Sequence, residues 1–163
     1  MSERVQVSAF VEPENQVMRV SSLIPDKQIE APPMDLVCVI DISRSMGNSA
    51  ACITDGKTEY EDLGFSLMDL VKHAVKTVIK VLRPTDRVSI VLFDNIIEVP
   101  YNFTEMTDTN REAVLTFIDS INKRNSTNIY DAIIKAIDIV NEREGDYINN
   151  DAAILFFTDG QPN

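Results

Sequence analysis

The sequence predicts an α/β domain: a doubly wound, mostly parallel sheet with helices on both faces, preceded by a β-hairpin. Two observations carry this. Short runs that are apolar almost throughout, Asp35-Leu-Val-Cys-Val-Ile-Asp41, Arg87–Phe93 and Ala152–Phe157, read as strands buried on both faces. Amphipathic helical patterns separate them, the alternation that gives parallel strands joined by crossover helices. With right-handed crossovers the strand at 35–41 lies centrally, with 87–93 and 96–101 on one side and 152–157 on the other.

Taken in order, Val5–Val11 and Val17–Ile24 flank the turn-like Pro13-Glu14-Asn15-Gln16, so residues 1–33 are expected to be a hairpin extension ending in the stiff connector Ala31-Pro32-Pro33. The main domain then occupies 34–163. Gly47–Gly64 is polar, contains Asp55-Gly56 and the acidic cluster Glu59-Tyr60-Glu61-Asp62, and is expected to be a long surface loop. Ser66–Leu82 resumes a helical pattern, with Leu67, Leu70, Val71, Ala74, Val75, Val78 and Leu82 on one face and Pro84 as the stop. Asp94-Asn95 reads as a tight turn into Ile96–Tyr101, where Pro100 suits an edge strand that can spare a donor. Thr109-Asn110-Arg111-Glu112 looks like a capping box opening a helix with Val114, Phe117, Ile118 and Ile121 inward. A third helix is expected from about Asn128 to Arg143, with Ile129, Ile133, Ala136, Ile137 and Val140 inward and Gly145 past its end.

With 163 residues, 44% of them hydrophobic and 25% charged, the composition is that of a soluble globular domain. A formal net charge of −11 argues against nucleic acid or anionic lipid as partners, because those surfaces need clustered Lys and Arg. No apolar stretch follows a basic start and no run approaches membrane-spanning length, so an intracellular location is the expectation. Cys38 sits in an apolar run and reads as a small buried hydrophobe; Cys52 lies in a polar stretch without an activating neighbour.

Asp41-Ile42-Ser43-Arg44-Ser45-Met46 follows the central strand, at the crevice outside the carboxyl ends of the strands where open α/β sheets bind ligands. Alternating Asp, Ser and Ser direct three oxygens toward one spot, which suits a hard cation such as Mg²⁺. The same residues are ordinary in turns and helix caps, so taken alone the motif is evenly balanced between the two readings. Thr127 and Asp159 shift the balance. Thr127 opens a helix, or caps it, and Asp159 ends a second buried strand beside the first. Five oxygens gathered on one edge of one sheet are hard to explain by turn chemistry.

The combination Asp41-x-Ser43-x-Ser45-Met46, Thr127-Asn128-Ile129 and Phe157-Thr158-Asp159-Gly160 resembles the metal-ion-dependent adhesion site of von Willebrand factor A domains, over roughly residues 34–163. The resemblance includes Thr85-Asp86-Arg87-Val88-Ser89-Ile90-Val91 leading to Phe93. It implies a Rossmann-like fold and one divalent cation, Mg²⁺ with Mn²⁺ or Ca²⁺ as alternatives. Ser43, Ser45 and Thr127 would bind through hydroxyls and Asp41 and Asp159 largely through water. Neutral first ligands leave the cation electrophilic, so an Asp or Glu of a protein partner supplies the missing charge, with Arg44 and Met46 as candidate partner contacts.

The sequence departs from the family pattern at Arg44, where glycine is common, and at Asn125-Ser126, where many relatives have glycines. Members of the family continue past the Asp-Gly motif with two more strands and their helices. The sheet is therefore expected to stop after its fourth core strand, as a fragment or as a chain completed by another polypeptide. The sequence looks closer to intracellular members, including those attached to ubiquitin-ligase machinery, than to secreted adhesion domains. A non-enzymatic, Mg²⁺-dependent protein-interaction module is the leading expectation. A metal-dependent phosphoryl-transfer or hydrolytic enzyme is the second, although no phosphate-cradling glycine loop occurs. A scaffold with a vestigial site is the third. His73, the one histidine, reads as a surface residue rather than a catalytic base.

Overall fold

The computed structural model describes residues 6–12, 17–23, 31–53, 60–124 and 128–160. The chain divides into two compact units, Met1–Ala31 and Pro32–Asn163. In the first, β1 (Gln6–Glu12) pairs antiparallel with β2 (Val17–Leu23), with Glu12 opposite Val17.

The second unit is built on β3 (Met34–Asp41), whose residues from Asp35 to Asp41 are all buried. β6 (Arg87–Phe93) lies parallel to β3 on one side and β8 (Asp151–Phe157) parallel to it on the other. β7 (Ile97–Glu105) continues the sheet antiparallel to β6, giving the order β7-β6-β3-β8 that the crossover rule predicts. Pro100 is exposed on β7, an edge strand, where a missing donor costs no ladder bond. β8 is the opposite edge among the described strands, and Ile154 is 40% exposed.

Alternation along β3 and β6 divides the core between two faces. Leu36, Cys38, Ile40, Val88, Ile90 and Leu92 pack under α1 (Leu67–Val81) and α2 (Asp108–Ser120). Val37, Val39, Val91 and Phe93 face α3 (Ile129–Asn141) through Ala132, Ala136 and Ile139. Burial pushes the Cys38 thiol up to about 12, so it behaves as a small hydrophobe.

Several local expectations need correction. The described part of Gly47–Gly64 is not all loop: β4 (Ser49–Ile53) and β5 (Tyr60–Ser66) pair antiparallel, with Ile53 opposite Tyr60. Its strands lack an apolar-polar alternation, so the Asp55-Gly56 turn signal stood without the flanking pattern that marks a hairpin. Helix α1 turns inward on Met68, Val75 and Ile79, while Leu70 and Ala74 are exposed. Its Ser66 cap and Asp69 close a capping box. Helix α2 is capped by Thr107 rather than Thr109, and Glu112 therefore lies within the helix body. Ile133 and Ile137 of α3 are exposed, because the small Ala132 and Ala136 bring the helix close to the sheet on a neighbouring stripe. Among the described residues no helix is long and apolar enough to cross a membrane.

Two buried carboxylates hold the amino-terminal edge of the sheet. Asp86 accepts hydrogen bonds from Met34 N (3.0 Å), Arg83 N (2.6 Å) and the Arg83 guanidinium, tying the turn after α1 to the start of β3. Asp35 is bonded to Arg87, Arg143 and Asn150. Burial alone would raise both carboxyls. The bonds from Arg87, Asn150 and Arg143 to Asp35, and from Arg83 and the Met34 and Arg83 amides to Asp86, outweigh it and hold both below the ordinary carboxylate range. A folded-state value below the unfolded one means that the stabilisation is complete above about pH 4 and is lost as pH falls through the lower folded values. The thermal midpoint should therefore be flat near neutrality and fall below about pH 4. A midpoint that held steady down to about pH 2 would refute this account of the two carboxylates.

Candidate metal centre

At the opposite end of β3 the chain leaves the sheet through Ile42. Its amide donates to Phe93 O (2.9 Å), its carbonyl accepts from Arg124 N (2.6 Å), and its side chain is buried. Both neighbours of the loop are thus tied to it by backbone bonds, and Ser43 follows from a fixed point. A short 3₁₀ turn, Arg44–Gly47, comes next, anchored by the buried Met46 and joined to α1 by the bond from Leu67 N to Asn48 O (3.0 Å).

Asp41 is fully buried at the strand end. Its Oδ1 accepts from Ser43 N at 2.8 Å, and its Oδ2 accepts from the Thr158 hydroxyl at 2.9 Å. These two bonds hold the carboxylate across the carboxyl ends of β3 and β8. Thr158 was quoted in the sequence motif but assigned no role; the signal was its place between the last strand residue and Asp159. Ser43 Oγ and Ser45 Oγ lie 3.1 Å apart, so the two hydroxyls converge on one point. Asp159, half-buried, follows Thr158 on the same edge, and Gly160 (φ +72°) takes the left-handed conformation that ends this stretch.

Four of the five sequence-predicted oxygens therefore stand on one sheet edge. Thr127 lies outside the described residues. Its neighbour Asn128 caps α3, accepting from Asp131 N, and donates its own amide to Asp94 O at 2.7 Å, which ties the start of that helix to the end of β6. Arg44 is exposed, as a partner contact must be. Met46 is not available as one: at 1% exposure it belongs to the core under α1. The one histidine, His73, is exposed on α1.

The donor set can be tested against a small cation. Two ligands at 2.0–2.1 Å in right-angled octahedral positions are about 2.9 Å apart, close to the serine spacing. Among the described residues no three His, Cys, Asp or Glu side chains gather in a metal-holding group, and the oxygens brought together at this loop are the hydroxyls of Ser43 and Ser45. That chemistry suits Mg²⁺ or Mn²⁺ better than a thiolate- or imidazole-seeking metal.

Residues 36–161 match the family model of the von Willebrand factor type A domain. The chain belongs to that family. Among curated proteins, this vWA chain is similar to the probable E3 ubiquitin-protein ligase WAVH2 of Arabidopsis thaliana, 27% identical over 146 residues. The alignment takes in 86% of the chain and 17% of that relative's length. Among solved structures, the PilB minor pilin of Streptococcus sanguinis is similar at a TM-score of 0.66 and 16% identity, covering 98% of this chain and 47% of the pilin. An aerotolerance-related membrane protein from Bacteroides fragilis aligns at 0.58 and 19% identity, over 80% of this chain and 56% of that one. A von Willebrand factor type A protein from Catenulispora acidiphila aligns at 0.52 and 15%, over 76% of this chain and 25% of that one. At these identities the structures speak for the vWA fold alone.

Proposed function

We propose that this vWA domain is a divalent-cation-dependent protein-interaction module, non-catalytic in itself, working in an intracellular assembly. The observation that carries the reading is the serine hydroxyl pair, 3.1 Å apart, beside a buried Asp41 whose oxygens are both engaged. Ser43 and Ser45, with Thr127, hold Mg²⁺ through hydroxyls. Asp41 and Asp159 stand behind them, positioning the serines and neutralising charge. When bound, the cation offers an open position to an Asp or Glu of a partner protein. The relative's printed name, a probable E3 ubiquitin-protein ligase, favours an intracellular assembly over an adhesive surface.

A labelled peptide with one aspartate in a Gly/Ser background tests this. In Mg²⁺ it should bind the domain, and EDTA or replacement of its aspartate by asparagine should abolish binding. Equal binding in EDTA would overturn the reading.

A further inference from the structure

Two cations border the candidate metal centre without serving as ligands. Arg44 is exposed on the 3₁₀ turn that carries Ser45, while Met46, buried beneath, fixes that turn. Lys123 comes from the segment after α2, next to Arg124, whose amide bonds to Ile42 O. A Cβ at Gly47 would lie 2.6 Å from Lys123 Nζ and 2.8 Å from its Cδ, so the lysine stem crosses directly over Gly47 at the end of the turn. Position 47 thus accommodates the lysine because it has no side chain.

Other basic groups nearby are already engaged. Arg124 pairs with Glu98, and Lys76 with Asp119 at 2.6 Å. Arg44 and Lys123 form no ion pair among the described residues. Among those residues Lys123 lies near enough to the exposed Asp69 to act on its charge without forming an ion pair, and Arg44 has no such neighbour. In a chain of net charge −11, two cations beside one loop run against the general field. A divalent cation held at the serine hydroxyls would balance the charges of Asp41 and Asp159 behind them and leave the rim positive.

We infer that Arg44 and Lys123 select a protein segment with consecutive acidic residues: one carboxylate goes to the metal and its neighbours to the guanidinium and the ammonium. The inference rests on the metal reading above. Nucleic acid also offers repeated anions, but the overall charge of the chain repels it.

The test compares two labelled peptides of equal length, one with a single aspartate in a Gly/Ser background and one with that aspartate inside a run of glutamates. Both are titrated in Mn²⁺ against the unaltered domain, the Arg44→Gln/Lys123→Gln variant and Gly47→Ala, whose methyl displaces the lysine. The acidic run should bind the unaltered domain about tenfold more tightly than the single aspartate, and that preference should shrink to about twofold in the double variant. Gly47→Ala should fall between. Mn²⁺ should still bind every variant, and single-aspartate binding, which Arg44 also borders, should fall by less than acidic-run binding. A preference that survives in the double variant overturns the inference while sparing the metal reading. Failure of both peptides to bind metal-loaded protein overturns the metal reading and this inference with it.

Discussion

Replacing Asp35 with alanine is expected to lower the unfolding free energy by about 3–5 kcal/mol, the usual cost of stranding a buried charge. Asp35 is fully buried, accepting from Arg87 Nε at 2.8 Å and Nη2 at 2.7 Å in a two-pronged pair. Arg143 Nη1 (3.2 Å) and Asn150 Nδ2 (3.0 Å) complete its shell. The Arg87 guanidinium is enclosed, 3.5 Å from the Tyr147 ring centre and 4.8 Å from that of Phe103. Removing the carboxylate leaves that cation without its counter-charge in a place water reaches poorly. The urea midpoint of Asp35→Ala reads the loss. The Asp35→Leu/Arg87→Leu variant, which removes both charges, should recover much of it. If Asp35→Ala costs no more than an exposed ion pair, below about 1 kcal/mol, this account of the amino-terminal edge is wrong.

The second large effect concerns the metal. Asp41→Asn keeps the shape of the side chain but removes its charge and places an amide where one of two acceptor oxygens stood. If the amide faces Ser43 N, two donors meet; if it faces Thr158, the hydroxyl must turn from donor to acceptor, and in both cases the charge that steadies the serine loop is gone. Groups that orient metal ligands commonly change affinity by about 10–100-fold when altered, and a loss in that range is expected for Mn²⁺. Mn²⁺ electron paramagnetic resonance measures free ion directly. Circular dichroism on the same sample separates lost affinity from lost fold. An unchanged Mn²⁺ affinity in a folded Asp41→Asn protein would remove Asp41 from the site.

Where the sequence was legible, the physical signal was strong and singular. The unbroken apolar run of β3 can satisfy both faces only at the centre of a sheet, and the order β7-β6-β3-β8 followed from that placement and the crossover rule. The apolar spacing from Ser66 to Leu82 and the stop at Pro84 placed α1 almost to the residue. The placement of Asp41, Ser43, Ser45 and Asp159 at the carboxyl ends of two neighbouring strands was legible because the apolar pattern marks where those strands end.

Less was legible where two readings shared one pattern. Thr109 and Glu112 satisfy the spacing of a capping box, yet Thr107 caps α2, with the buried Met106 just before it setting the entry of the helix. In α1 the predicted Leu67, Val71, Val75, Val78 and Leu82 do reach the core, while Leu70 and Ala74 are exposed and Met68 and Ile79 are buried instead; in α3 the apolar Ile133 and Ile137 are exposed and Ala132 points inward. Hydrophobicity alone does not separate such neighbours. The β4–β5 pair lacks a two-residue period and is held by backbone pairing that side-chain pattern does not report. Met46 looked like a surface neighbour of the site, but a 3₁₀ turn rotates alternate residues in and out, and it anchors the loop from below. Lys123 stands far from the motif in sequence and reaches it only through the fold.

Crystals of the domain grown with Mn²⁺ test the central claim directly, because anomalous scattering locates the ion whatever its neighbours are assumed to be. The account predicts a single strong peak in contact with Ser43 Oγ and Ser45 Oγ, with Asp41 and Asp159 behind it and its outer face open beside Arg44. A peak elsewhere, or none at millimolar Mn²⁺, would contradict it.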